Sequence, residues 1–224
     1  MQTSPRCRIL RVTNPSSHDD QARKGLAETH VLQDLSLARS LLQYHHITTM
    51  KREAAALSLG AWLMGTIAVT VVATQDFYMV DRLLTNRDNT TFARIAEQIG
   101  PGTSRDFLRY LSSELNRFFF QVWNYAQLII GAVVLWLVVG IRQAPQLKWF
   151  VIAMLVIVVF LTVWITPQIL MVGRALDFVP RDPPPPSLNS FNLLHGAYTS
   201  LELVKFVIGI SISIWILRLS RTQV

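Results

Sequence analysis

The stretch WFVIAMLVIVVFLTVWITPQILMVG, residues 149–173, contains no charged side chain. A helix rises about 1.5 Å per residue and the hydrocarbon core of a bilayer is about 30 Å thick, so about twenty apolar residues cross it. Residues 54–75 and 118–141 are also free of charge, and residues 196–217 match them in length with only Glu202 and Lys205 as charges. The sequence therefore predicts an all-α protein, an integral membrane four-helix transmembrane bundle.

The composition favours one membrane domain, residues 50–224, preceded by a tail, residues 1–49. Of the 224 residues, 51% are hydrophobic and the net charge is +7. The basic residues are dispersed and accompany no nucleic-acid module, so we expect the lipid bilayer and no nucleic acid as partner. Cys7 is the only cysteine, which excludes an intrachain disulfide and a multi-cysteine metal site.

The tail is polar as far as residue 30, which favours disorder. From Val31 the leucine spacing predicts one short amphipathic helix. The segment MKREAAALSLGAWLMG, residues 50–65, resembles the natural start of a small membrane protein. Residues 1–49 are thus either an extension of the gene start or part of the product, and we expect a chain that starts at Met50 to insert normally.

The basic residues predict the orientation. They concentrate before the first span, in the short link between the second and third spans, and after the fourth: Arg6, Arg8, Arg11, Arg23, Lys24, Arg39, Lys51, Arg52, Arg142, Lys148, Arg218 and Arg221. Short cytoplasmic segments are enriched in Lys and Arg. We expect a multi-pass protein of the cell membrane with both termini in the cytoplasm.

The long loop between the first two spans predicts two helices. Residues 91–99 form the first, which stops at Gly100-Pro101-Gly102. Thr103 or Ser104 is expected to cap a second helix that lies on the outer surface and then leads into the second span. Within the spans, Pro167 predicts a kink. Trp62, Trp123, Trp149 and Trp215 are expected to form an aromatic belt near the span ends.

The charges in the fourth span define a polar stripe. Glu202 and Lys205 are three residues apart, so they share a helical face and can pair. His195, Tyr198 and Gly209 follow the same spacing, which predicts that the stripe faces protein and not lipid. On the second span, Arg117 and Asn124 bring further polar groups to the same end of the bundle, and Gln121 and Gln127 accompany them.

Two interpretations of these polar residues remain open. In the functional one, they line an outward-facing pocket for a small molecule, an ion or protons. In the structural one, Glu202 and Lys205 form one buried pair and the other groups make ordinary hydrogen bonds between helices. The predicted pocket residues are Arg117, Asn124, His195, Tyr198, Glu202 and Lys205. The sequence predicts no catalytic residue, no metal ligand and no cofactor.

Four short segments carry a resemblance: GAWLMGTIAV (60–69), SELNRFFFQVWNYAQ (113–127), ITPQIL (165–170) and FNLLHGAYTSLELVK (191–205). With them, the chain resembles a bacterial four-span family that is similar to eukaryotic transmembrane protein 205, within the wider copper-resistance-D-like group. The resemblance covers about residues 50–218 and implies a four-helix membrane fold. Some members of the wider group handle copper or oxidise porphyrinogens with haem, and this chain lacks the first-span histidine that such haem binding would want.

Three functional hypotheses follow. The first is a non-enzymatic membrane protein, accessory or small-solute-handling, with an outer polar pocket. The second is a haem, porphyrin or copper oxidoreductase in which His195 is an axial ligand. The third is a scaffold subunit, in which a second copy or another membrane protein is the partner.

Overall fold

The structure is a computed structural model that describes residues 16–86, 88–141, 143–180 and 182–221. Helices account for nearly all of these residues. No β-strand occurs in these ranges. The elements are α1 (Ser16–Thr85), α2 (Thr90–Ile99), α3 (Pro101–Val139), α4 (Leu147–Phe160), a π-helical turn (Leu161–Ile165), α5 (Thr166–Arg174) and α6 (Ser187–Arg221).

Four helical segments in these ranges are long and apolar enough to cross a membrane. They are Leu35–Thr85, Pro101–Val139, Leu147–Arg174 and Ser187–Leu219. The third combines α4, the π-helical turn and α5. The prediction of an all-α four-helix transmembrane bundle is therefore confirmed, and the protein is a multi-pass membrane protein.

The chain forms two compact units, Met1–Ile47 and Thr48–Val224. The division falls two residues before the boundary at residues 49 and 50 that the sequence predicts. In the first unit the helix begins at Ser16, whereas the sequence predicted disorder as far as residue 30. Residues 16–30 contain Ala, Leu, Gln, Arg, Lys and Glu, which are good helix formers despite their polarity. Residues 1–15 lie outside the described residues.

The loop after the first span contains α2, as predicted, with Asn89 as its N-cap. The Asn89 Oδ1 accepts a hydrogen bond from the backbone N–H of Phe92 at 3.0 Å. The next helix does not begin at Thr103 or Ser104 as predicted, because Pro101 already occupies its first turn. Ser104 instead donates its hydroxyl to the carbonyl of Ala96 at 3.0 Å.

The predicted surface helix and the second span form one continuous helix, α3. The sequence predicted instead a separate helix that lies on the outer surface before the second span begins. Between Thr103 and Ile130 the chain has neither Pro nor Gly. The backbone hydrogen bonds therefore continue without a break, since no residue in that interval removes a donor or favours another conformation.

The main apolar core lies at one end of the second unit. It joins residues of α1, the last turns of α3, α4 and the last turns of α6: Ala55, Leu59, Trp62, Val134, Leu137, Val138, Ile141, Ala144, Leu147, Val151, Met154, Val158, Ile212 and Ile216. We call this the basic end, because Lys51, Arg52, Lys148 and Arg218 also lie there. The Arg52 guanidinium donates to the carbonyl of Leu219 at 3.2 Å and to Gln143 Oε1 at 3.2 Å.

The opposite end of the second unit, which we call the loop end, is held by polar contacts. Arg117 pairs there with Asp177, at 2.8 Å between Nη2 and Oδ1. Exposed Arg105 and Asp81 pair at 2.9 Å. The main apolar core thus lies at the basic end, whereas these ion pairs lie at the loop end. A smaller apolar cluster of Leu161, Ile165 and Tyr198 lies between the two.

The tryptophans do not form the predicted belt as a set. Trp149 is exposed, and Trp215 packs edge-on against Phe150. Trp62, in contrast, is completely buried in the core. The belt prediction is wrong for Trp62, because its indole N–H has a hydrogen-bond acceptor inside the bundle and does not need the membrane interface.

The third span contains a π-helical turn immediately before Pro167. At the end of the turn, the backbone N–H of Thr166 bonds to the carbonyl of Leu161, five residues earlier. π-Helices are rare, and they occur mostly as single turns inside α-helices, often at functional sites. The turn explains how the span tolerates Pro167, and it places Thr166 in the interior, 6% exposed.

Candidate functional site

The centre of the site is an ion pair within α6. The Lys205 Nζ lies 2.5 Å from Glu202 Oε2. The Lys205 side chain is 1% exposed and that of Glu202 is 11% exposed. The spacing of three residues places both side chains on one face of the helix. The predicted pairing is therefore present, and the pair lies inside the bundle and not against lipid.

Gln127 of α3 connects this pair to the first span. Its Nε2 donates to Glu202 Oε1 at 3.3 Å. Its Oε1 accepts from the Trp62 indole at 2.9 Å and also from Lys205 Nζ. The Lys205 ammonium lies 5.8 Å from the centre of the Trp62 ring, a cation–π distance. Three helices thus share one buried network in which both oxygens of Glu202 have partners.

A second polar layer lies about one helical turn closer to the loop end. Asn124 Nδ2 donates to Thr166 Oγ1 at 2.8 Å, and Asn124 Oδ1 accepts from the Tyr198 hydroxyl at 2.9 Å. All three side chains are buried. Asn124 is one turn from Gln127 on α3, and Tyr198 is one turn from Glu202 on α6. We call the two layers together the polar column: Trp62, Asn124, Gln127, Thr166, Tyr198, Glu202 and Lys205.

The remaining two predicted pocket residues lie nearer the loop end and outside the polar column. The Arg117 guanidinium is held by Glu114 at 2.5 Å and Asp177 at 2.8 Å. His195 is exposed, and its ring stacks on Phe191 with centroids 5.9 Å apart. Tyr198, Glu202, Lys205 and Gly209 of the predicted stripe are buried. The prediction that the stripe faces the interior of the bundle is therefore wrong for His195.

The polar column is one-sided. Beyond Lys205 toward the basic end, α6 contributes Ile212 and Ile216 to the apolar core, and α3 contributes Val134 and Leu137. Toward the loop end, Tyr198 of the column also belongs to a smaller apolar cluster with Leu161 and Ile165. Arg117 and its two carboxylates lie nearer the loop end. The buried polar groups of the column therefore end at the charged pair, and the packing beyond it toward the basic end is apolar.

Two central members of the polar column, Gln127 and Trp62, are not among the pocket residues that the sequence predicts. Gln127 is expected from the sequence only to accompany Arg117 and Asn124 at this end of the second span. Gln127 is one helical turn from Asn124 in a charge-free span. This spacing is the feature of the sequence that could have identified it as a pocket residue. The sequence does not distinguish a buried Trp62 from one at the membrane interface, because a tryptophan near a span end is equally typical of an aromatic belt.

The described residues contain no group of three or more His, Cys, Asp or Glu side chains that could hold a metal ion. The polar column offers hydrogen-bond donors and acceptors, one cation and one anion. Comparisons of the chain with protein-family models, with curated proteins and with solved structures find no match.

Proposed function

We propose that this chain is a non-enzymatic protein of the cell membrane that handles a small polar solute or an ion through the polar column, from the outer side. The observation that carries the proposal is the buried Glu202–Lys205 pair with its link to Gln127. Ionisable groups inside a membrane bundle are unfavourable and are typical of solute, ion or proton pathways.

The depth of the pair supports this proposal. Lys205 lies within two residues of the middle of the apolar stretch 196–217, and Gln127 lies within three residues of the middle of 118–141. A transport or binding site near the bilayer midplane is typical of small-solute transporters. The apolar core beyond Lys205 favours access from one side, since a continuous polar path is not present there.

A closed column with satisfied hydrogen bonds must open before a solute can reach it, and this gives a direct test. In a Cys7→Ser background, we expect the thiol introduced by Asn124→Cys to react with a membrane-impermeant reagent added from outside. Asn124 is 1% exposed, so the reaction reports opening of the column. The matched control is Met154→Cys, an equally buried position in the apolar core, which we expect to remain unreactive.

The reaction rates decide between the two interpretations of the polar residues. Reaction of the Asn124→Cys variant and not of the Met154→Cys variant supports an outward-opening site. If neither thiol reacts while both proteins fold, the column is a sealed set of interhelical hydrogen bonds and the proposed function is wrong.

The proposed orientation places the basic end in the cytoplasm and the loop end outside, with both termini inside. Its support is the set Lys51, Arg52, Lys148 and Arg218 at one end of the second unit. We expect an impermeant thiol reagent added to intact cells to label Gln98→Cys in α2 and not Gln146→Cys in the link between α3 and α4, both of which are exposed positions. Asn89 is avoided because its side chain caps α2. Labelling of Gln146→Cys alone would invert the orientation.

We also propose that the chain is related to the transmembrane protein 205 and copper-resistance-D-like group. We further propose that it associates with a second copy or with another membrane protein. The many exposed apolar side chains of the spans, such as Trp136, Trp164 and Leu193, support the lipid bilayer as the principal partner.

A further inference from the structure

The interface between α1 and α3 at the loop end contains a second polar group, separate from the polar column. Ser112 Oγ donates to the carbonyl of Asp76 at 3.2 Å, and Asn116 Nδ2 donates to the carbonyl of Ala73 at 3.1 Å. Ser112 and Asn116 are 8% and 7% exposed. One turn of α3 is thus fixed against one turn of α1 by two side-chain hydrogen bonds.

Two buried oxygens in this turn, Asp76 Oδ2 and Asn116 Oδ1, accept no hydrogen bond from any group in the described part of the chain. Rotating the Asn116 amide does not solve this, because the amide oxygen would then face the Ala73 carbonyl. Buried acceptors without a donor are rare, and a bound ion or water is a usual explanation. The structure therefore places two unsatisfied acceptors at one interface, where the Ser112 hydroxyl bonds to the backbone of the same Asp76.

A carboxylate, an amide oxygen and a hydroxyl oxygen are ligands that hard cations prefer. The charge of the site favours a monovalent cation. Asp81 is paired with Arg105, and Glu114 and Asp177 are paired with Arg117, so Asp76 is the carboxylate of this interface that no such ion pair neutralises. Calcium sites in contrast take six to eight oxygens and usually several carboxylates.

We propose that Asp76, Asn116 and Ser112 form a binding site for a small monovalent cation of the sodium type. The ion would accept coordination from Asp76 Oδ2 and Asn116 Oδ1 and would stabilise the contact between α1 and α3. The site rests on these contacts alone and does not depend on the polar column or on any transport activity.

The test is the thermal unfolding of the full chain in detergent, in sodium chloride and in choline chloride at equal ionic strength. A ligand that binds only the folded state raises the melting temperature with saturation. We expect sodium to raise the melting temperature by at least ~2 °C in a saturable way. In chains of this length, a shift of that size corresponds to a modest gain in the free energy of unfolding. We expect the shift to be lost in Asp76→Asn and reduced in Ser112→Ala. Sodium-23 NMR line broadening by the unsubstituted protein gives a second readout if Asp76→Asn does not fold.

The matched control is Asp81→Asn, which removes an exposed carboxylate five residues further along α1 and should keep the full sodium shift. Equal melting in sodium and choline, together with no line broadening, would overturn the site and leave water as the partner of the two oxygens. A sodium shift that persists in Asp76→Asn would also overturn it. A larger shift with calcium than with sodium would overturn the monovalent assignment.

Discussion

Glu202→Gln is expected to lower the free energy of unfolding by about 3 kcal/mol, the usual effect of leaving one charge of a buried pair without its partner. The variant keeps the shape of the side chain and removes its charge. Lys205 then remains inside the bundle with the neutral Gln127 and the Trp62 ring as its contacts. These contacts do not neutralise an ammonium ion.

The double variant Glu202→Gln with Lys205→Met is expected to be nearly as stable as the unsubstituted protein. Both charges are absent, and the Gln127 Oε1 keeps the indole N–H of Trp62 as its donor. Replacing a buried ion pair by uncharged groups of similar volume is often neutral or stabilising. Thermal unfolding in detergent measures the difference between the single and the double variant.

Asp81→Asn is the control for this comparison. It breaks the pair between Asp81 and Arg105, whose side chains are 57% and 49% exposed. Exposed pairs contribute about 0–1 kcal/mol, so its melting temperature should change little. Equal melting temperatures for Glu202→Gln and for the double variant would show that Glu202 and Lys205 are not coupled. This result would contradict the ion pair in the structure.

Gly131→Ala is expected to destabilise the protein by about 1–3 kcal/mol, because it adds a methyl group to a filled interior. A Cβ atom at Gly131 would overlap Leu155 Cδ2 and would lie 2.8 Å from Cη2 of Trp62. Trp62 cannot move away without weakening its hydrogen bond to Gln127. The substitution should therefore also disturb the polar column.

Gly60→Ala is the matched control, since a Cβ atom there meets nothing within 4 Å. Alanine is a better helix former than glycine by about 1 kcal/mol, so this variant should be neutral or stabilised. Thermal unfolding of both variants in detergent gives the comparison. A Gly131→Ala variant as stable as Gly60→Ala would mean that α3 and α4 are less closely packed than the structure has them.

Two other glycines, Gly65 and Gly209, also lie at close contacts between helices. Gly65 and Gly209 have the small-residue spacing that lets helices approach closely. In the structure, a Cβ atom at Gly65 would lie 2.5 Å from Cζ3 of Trp123, and one at Gly209 would lie 2.9 Å from Cδ2 of Leu63. The sequence does not mark Gly131 as a position of close packing, because nothing in the sequence of α3 indicates which residues of α1 and α4 lie opposite it.

The sequence by itself determined the four spans and the pairing of Glu202 with Lys205, since both depend on the local properties of one helix. A charge-free apolar stretch of sufficient length forms a helix in lipid because every backbone group must bond internally. Two charges three residues apart meet on one face of any helix. The positions of α2 and of the inward face of α6 follow from the same local rules.

Only the tertiary structure decided which side chains of different helices meet. The burial of Trp62, its hydrogen bond to Gln127 and the contact of Asn124 with Thr166 depend on the relative rotation and depth of α1, α3 and the third span. These are fixed by packing between helices, and the π-helical turn before Pro167 adds a local change in register. The periodicity of one helix contains no information about its neighbour, so the polar column appears only when the helices are packed together.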